Sequence, residues 1–201
     1  TTLPIKYWNN NNTINISPED KNGRKIEVAY FSGVQFVGHS IHYPQPLLYT
    51  NNNLILPTKE KFMSLGRGTV YEDTMMYDIK LKNIESVHDD FVYYFVYNTS
   101  NYFHFIYDTL PYLYGYFNQK NYISNLKLLV SPPEGKEDLY PFVWDTLELL
   151  GITRDDVVFL DDKVKYEIVI VGSSLTHDGL SDAPPHKGIY DIINRMRGYY
   201  E

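Results

Sequence analysis

Apolar residues fall into two regimes along the 201-residue chain, with a change near residue 90. Before it, apolar stretches are short and broken by turn-forming clusters. Strands are predicted at Lys25 to Phe31, Val34 to Val37, Leu54 to Leu56 and Tyr77 to Val87, the last with a largely period-two alternation. Tyr43-Pro44-Gln45-Pro46, Asn51-Asn52-Asn53 and Gly66-Arg67-Gly68 punctuate them as turns. Gly66-Arg67-Gly68 lacks the further glycines, the flanking strand and the helix that phosphate cradling needs.

After residue 90 the pattern alternates between strand and helix. The run Phe91-Val92-Tyr93-Tyr94-Phe95-Val96-Tyr97 is long enough for a buried strand and too short to span a bilayer. A helix is predicted from Asn101, then a strand at Leu126 to Val130, a helix from Glu137 to Leu150 stopped by Gly151, strands at Val157 to Leu160 and Tyr166 to Gly172, and a last helix from Lys187 to Gly198. This order predicts an α/β fold, with a Rossmann-like, mainly parallel sheet over 91–201 and a β-rich portion of the same domain over 1–90.

At about 100° per residue, Phe103, Ile106, Tyr107, Leu110, Leu113, Tyr114 and Phe117 form one stripe, expected to face the core. His104 and Asp108 lie together on its flank. Asn101 or Ser100 can cap the helix, and Pro111 should either kink it or restart it. The segment follows the carboxyl end of a strand, where open α/β sheets place their ligands. Asp108 could act as a general base or orient His104 to do so, and the same spacing also suits a purely structural pair across one helical turn. Ser173-Ser174-Leu175-Thr176-His177-Asp178-Gly179 forms a second polar cluster beyond the strand ending at Gly172.

Composition narrows the chemistry. The net charge of -7 and scattered lysines and arginines argue against a nucleic-acid surface, and the absence of cysteine removes disulfides, cysteine zinc sites and thiol catalysis. Two candidate ligands make no metal site, and no metal is expected. No run reaches the roughly twenty apolar residues of a membrane span, so the chain reads as soluble, with its compartment unassigned. The triplets beginning at Asn11 and Asn98 would carry glycans only in a secretory compartment.

Read together, Asn101-Tyr102-Phe103-His104-Phe105-Ile106-Tyr107-Asp108-Thr109-Leu110-Pro111, Leu128-Leu129-Val130-Ser131, Leu147-Glu148-Leu149-Leu150-Gly151-Ile152 and Val158-Phe159-Leu160-Asp161-Asp162 resemble family 61 glycosyltransferases. The resemblance runs collinearly from about Phe91 to Arg197, and its most specific part is the Asn-x-x-His-x-x-x-Asp-x-x-Pro core. It implies the N-terminal half of a two-domain GT-B enzyme that transfers a sugar, with inversion, from a nucleotide-sugar to a glycan or glycoprotein acceptor, without an obligatory metal or other cofactor. On that resemblance His104 and Asp108 are the catalytic candidates, and Asn101, His177 and Asp178 the acceptor-binding ones. It further implies that most nucleotide contacts belong to a second half beyond Glu201, so the chain by itself is expected to be inactive. The competing expectation is a carbohydrate- or protein-binding module without catalysis; no Gly-x-Ser-x-Gly elbow supports a hydrolase.

Overall fold

A computed structural model describes residues 2–8, 13–17, 25–38, 46–57, 76–176 and 185–198. Among them are ten strands: β1 (Thr2–Tyr7), β2 (Thr13–Asn15), β3 (Glu27–Val37), β4 (Leu47–Thr50), β5 (Asn53–Leu56), β6 (Met76–Asp78), β7 (Ser86–Tyr94), β8 (Lys127–Val130), β9 (Val157–Phe159) and β10 (Val164–Gly172). The helices are α1 (Tyr102–His104), α2 (Leu113–Lys120), α3 (Pro141–Leu149) and α4 (Ile189–Arg197), with a π-helical turn at Phe105–Thr109 and 3-10 turns at Leu110–Tyr112 and Arg154–Asp156.

All the strands join one sheet in the order β6-β1-β5-β4-β3-β10-β7-β8-β9, with β2 beside β3. The pairs β10–β7, β7–β8, β8–β9 and β1–β5 are parallel. The remaining pairs are antiparallel, including β3 against β10 at the centre. The sheet is therefore mixed, and the expected Rossmann-like, mainly parallel fold, with the GT-B half it implied, is not what forms. The difference has a physical cause. Continuous apolar runs signal burial on both faces rather than strand direction, and antiparallel β3 is also buried through Val28, Ala29, Phe31, Val34, Phe36 and Val37.

Boundaries differ for similar reasons. The predicted strands at Lys25 to Phe31 and Val34 to Val37 are one strand that passes through Gly33 at φ 60°. The alternation from Tyr77 to Val87 is not one strand: β6 ends at Asp78, β7 begins at Ser86, and Leu81 and Ile84 between them are exposed. β4 falls where no strand is predicted; the turn at Asn51 and Asn52, both at positive φ, makes it one arm of a hairpin with β5. Gly66-Arg67-Gly68 lies outside the described residues.

Gly33 also marks a bend shared by three strands. β7 carries an extra residue opposite β10, so that His88 pairs with Tyr166 but Phe91 with Ile168. Straight strands would place Phe36 some 20 Å from Tyr94, at about 3.3 Å per residue. Their ring centroids are instead 5.9 Å apart, and Phe36 is also 5.4 Å from Tyr166. The far ends of β3 and β10 thus fold over the Tyr94 face of the sheet.

The opposite side of β7 is set by Tyr93. Its buried hydroxyl donates to the Tyr112 carbonyl at 2.8 Å, and its ring packs edge-on against Tyr116 of α2. A Cβ at Gly115 or at Gly172 would overlap the Tyr93 hydroxyl, so both glycines are needed for α2 and β10 to approach β7 this closely. Between β8 and α3 the chain is braced by Asp138. Its carboxylate accepts the Trp144 indole N–H at 2.9 Å and both terminal nitrogens of Arg154 at 3.1 Å, while that guanidinium stacks over the Trp144 ring. Among the described residues, no helix is long and apolar enough to cross a membrane.

Gly115→Ala should cost about 1–3 kcal/mol of stability through overpacking. In urea unfolding the cost should shrink in a Tyr93→Phe background, because the atom it strikes is gone. The Trp144 bond is the chief influence holding Asp138 below the usual carboxylate pKa, with Leu139 N–H and Arg154 adding to it. A pKa lowered by folding contributes stability above the unfolded value of about 3.9, and that contribution is lost as pH falls through the folded value. Urea midpoints should therefore fall further between about pH 6 and pH 3 in the wild type than in Asp138→Asn.

Candidate functional site

Seven residues separate the end of β7 from the first helical turn, and nearly every polar group in them is tied down. Phe95 N–H donates to Leu129 O at 2.9 Å, extending the β7–β8 ladder. Tyr97 stacks on Tyr112 with ring centroids 3.8 Å apart. Asn98 closes a local turn by accepting from the Ser100 N–H and hydroxyl, and its carbonyl accepts from buried Thr109 at 2.8 Å. Asn101 then caps α1: its side-chain oxygen accepts the His104 N–H at 3.2 Å and its carbonyl the Phe105 N–H at 2.8 Å.

Within this frame His104 Nδ1 and Asp108 Oδ2 are 2.6 Å apart. A carboxylate only accepts, so the shared hydrogen is on Nδ1 and the neutral ring keeps its lone pair on Nε2. The His104 side chain is 50% exposed and that of Asp108 26%. The imidazole is thus held through one nitrogen on a half-exposed side chain. Asn101 acts here on the backbone, as a cap.

The stripe expected to be core divides at this point. Leu110 and Leu113 are buried and Ile106, Tyr114 and Phe117 half-buried, but Phe103 is 67% and Tyr107 47% exposed. The reason is the π-helical turn Phe105–Thr109, in which Leu110 N–H bonds to Phe105 O. One extra residue in the turn breaks the 100° progression that put all these positions on one line. Phe103 and Tyr107 lie nearly parallel with centroids 5.8 Å apart, and Phe103 is edge-on to His104 at 5.8 Å. The 100° stripe ran on past Pro111, where a kink or a restart was expected and a 3-10 turn forms. Pro111 was the signal, since it denies Tyr107 O the N–H that an α-helix would supply.

That carbonyl finds Thr176, whose hydroxyl donates to it at 3.1 Å. Thr176 follows β10, and its own N–H and hydroxyl both meet the Ser174 hydroxyl at 3.1 Å. The loop after β10 is therefore pinned to the turn that carries the dyad. His177 and Asp178 lie outside the described residues. Among the described residues, no group of three or more histidines and carboxylates is placed to hold a metal ion.

This arrangement allows proton transfer at a surface that also offers aromatic faces. Comparison with protein-family models, with curated proteins and with solved structures found no match.

Asn101→Ala should destabilise the protein by about 1 kcal/mol by removing the cap. It should also broaden or shift the imidazole resonances of His104, because the cap holds that residue's N–H; chemical denaturation and NMR read the two effects separately.

Proposed function

We propose that this chain forms the acceptor side of an inverting sugar transferase in which His104, oriented by Asp108, removes the proton of the acceptor hydroxyl. The observation that carries the proposal is the 2.6 Å His104–Asp108 contact on a half-exposed imidazole beside Phe103, whose ring lies parallel to that of Tyr107. The motif resemblance to family 61 glycosyltransferases supports the same chemistry.

In the step proposed, the acceptor oxygen forms a bond to the anomeric carbon of a nucleotide-sugar as its proton passes to His104 Nε2. The bond from that carbon to the phosphate oxygen breaks, and its electron pair leaves on the nucleoside diphosphate. Attack from the side opposite the leaving group inverts the configuration. Asp108 holds the ring in the tautomer that leaves Nε2 free and stabilises the imidazolium that forms. Phe103 and Tyr107 present flat apolar faces of the kind that stack on the C–H face of a pyranose. Acceptors are thus glycans or glycoproteins, and the donor requires contacts beyond this site.

The same aromatic surface would serve a carbohydrate-binding module without chemistry, and one experiment separates the two. Transfer and hydrolysis of nucleotide-sugars should be measured on the natural protein beside His104→Ala and Asp108→Asn. Loss of roughly 10²–10⁴-fold in kcat for His104→Ala, with folding retained, is expected for a general base. Full activity in both variants rejects the proposal. Saccharide binding that depends on Phe103 and Tyr107, with no transfer from any donor, identifies a binding module instead.

A further inference from the structure

At the far end of the helical segment, on the order of 20 Å from His104 at about 1.5 Å per residue, a cleft of about 480 Å³ opens between α2 and α4. Its size is within the usual range of small-molecule sites. Tyr114 and Phe117 supply ring faces, while Asn118, Asn121, Asp191 and Asn194 supply amides and a carboxylate, with Arg195 alongside. Asp191 and Arg195 stand four residues apart on α4, a spacing that favours an ion pair. They do not form one; the Arg195 guanidinium lies instead 4.3 Å from the centre of the Phe117 ring. Asp191 is left as an acceptor facing the cleft, and the carboxamides of Asn121 and Asn194 have no partner among the described residues.

The site is built on a fixed floor. The Tyr114 ring is backed by buried His186, edge-on at 6.2 Å, and by Gly188, where a Cβ would approach the ring to 2.8 Å. Burial raises the Tyr114 phenol pKa, and the charge of Asp191 raises it further.

The lining selects a class of ligand. One carboxylate and one guanidinium leave the cleft without net charge, so neither an anion nor a cation is favoured overall. Carboxamides offer a donor and an acceptor each, and hydroxyl groups match that pattern because each both donates and accepts. A carboxylate beside amides suits adjacent hydroxyls, and an aromatic face suits the C–H side of a ring. We propose that the cleft between α2 and α4 is a binding site for a neutral saccharide, engaged through Asp191, Asn121 and Asn194 and stacked on Tyr114. The assignment does not rest on the His104–Asp108 dyad.

The test is titration of the ¹⁵N-labelled chain with cellotriose, xylotriose, maltotriose and chitotriose, with sodium phosphate as a separate arm. The expected result is saturable shifts, for at least one saccharide, in the amide signals of Asn118, Asn121, Asp191 and Asn194. Asp191→Asn should weaken that binding by roughly tenfold or more, as expected for loss of a hydrogen bond to a charged group. Asn194→Ala, on the exposed side of α4, serves as a second variant should Asp191→Asn not fold. No saccharide response at these residues overturns the assignment. So does binding unchanged in the variants, or a response to phosphate alone. Shifts confined to the region of Phe103, His104 and Tyr107 also overturn it while leaving the proposed transferase site standing. Loss of transfer activity in His104→Ala with the cleft still binding saccharide keeps the two sites distinct.

Discussion

The hydroxyl of Tyr93 reaches the carbonyl of Tyr112 through a space that a side chain at position 115 or 172 would close. That bond fixes how close α2 lies to β7 and β10 and where the chain turns after the strand. Burial raises the Tyr93 phenol pKa far above the physiological range, so the hydroxyl remains a donor throughout it. Tyr97 stacked on Tyr112 then ties the connecting loop to the same carbonyl-bearing residue. With both ends of the loop held, Asn101 starts the helix at one place and His104 meets Asp108 one turn later. The exposed dyad is therefore supported by some of the most buried aromatic residues in the protein.

Proline gives the segment its second constraint. Pro111 can neither donate to Tyr107 O nor follow an ideal α-helical turn, and the chain responds with a π-helical turn followed by a 3-10 turn. The orphaned carbonyl is taken up by Thr176, which draws the loop after β10 to the dyad. The same irregularity turns Phe103 and Tyr107 outward. A sequence feature that weakens a helix thus produces both the open aromatic surface and the link between two polar loops.

What could be read from residues alone divides along physical lines. A strand through Phe91 to Tyr94, the helical turn after Asn101 and the meeting of His104 with Asp108 depend on local spacing, and spacing is visible; the start of that strand at Ser86 and its end before Phe95 are not. The direction of neighbouring strands depends on distant pairing, so the insertion of β3 antiparallel to β10 was not, and a parallel sheet was expected. Exposure of Phe103 and Tyr107 depended on one extra residue in a turn, which an uninterrupted 100° progression ignores. The cleft between α2 and α4 is lined by both Asn121 and Asp191, residues seventy apart in the chain. No local pattern reports such a meeting.

The central claim is that Asp108 fixes His104 in the tautomer that leaves Nε2 free for a substrate proton. Two-bond ¹H–¹⁵N correlation spectra of the imidazole, recorded at alkaline pH, read this directly. The account predicts a protonated Nδ1 and a bare Nε2 for His104, with the preference lost in Asp108→Ala. A proton on Nε2, or an unbiased mixture of tautomers in the wild type, would contradict it.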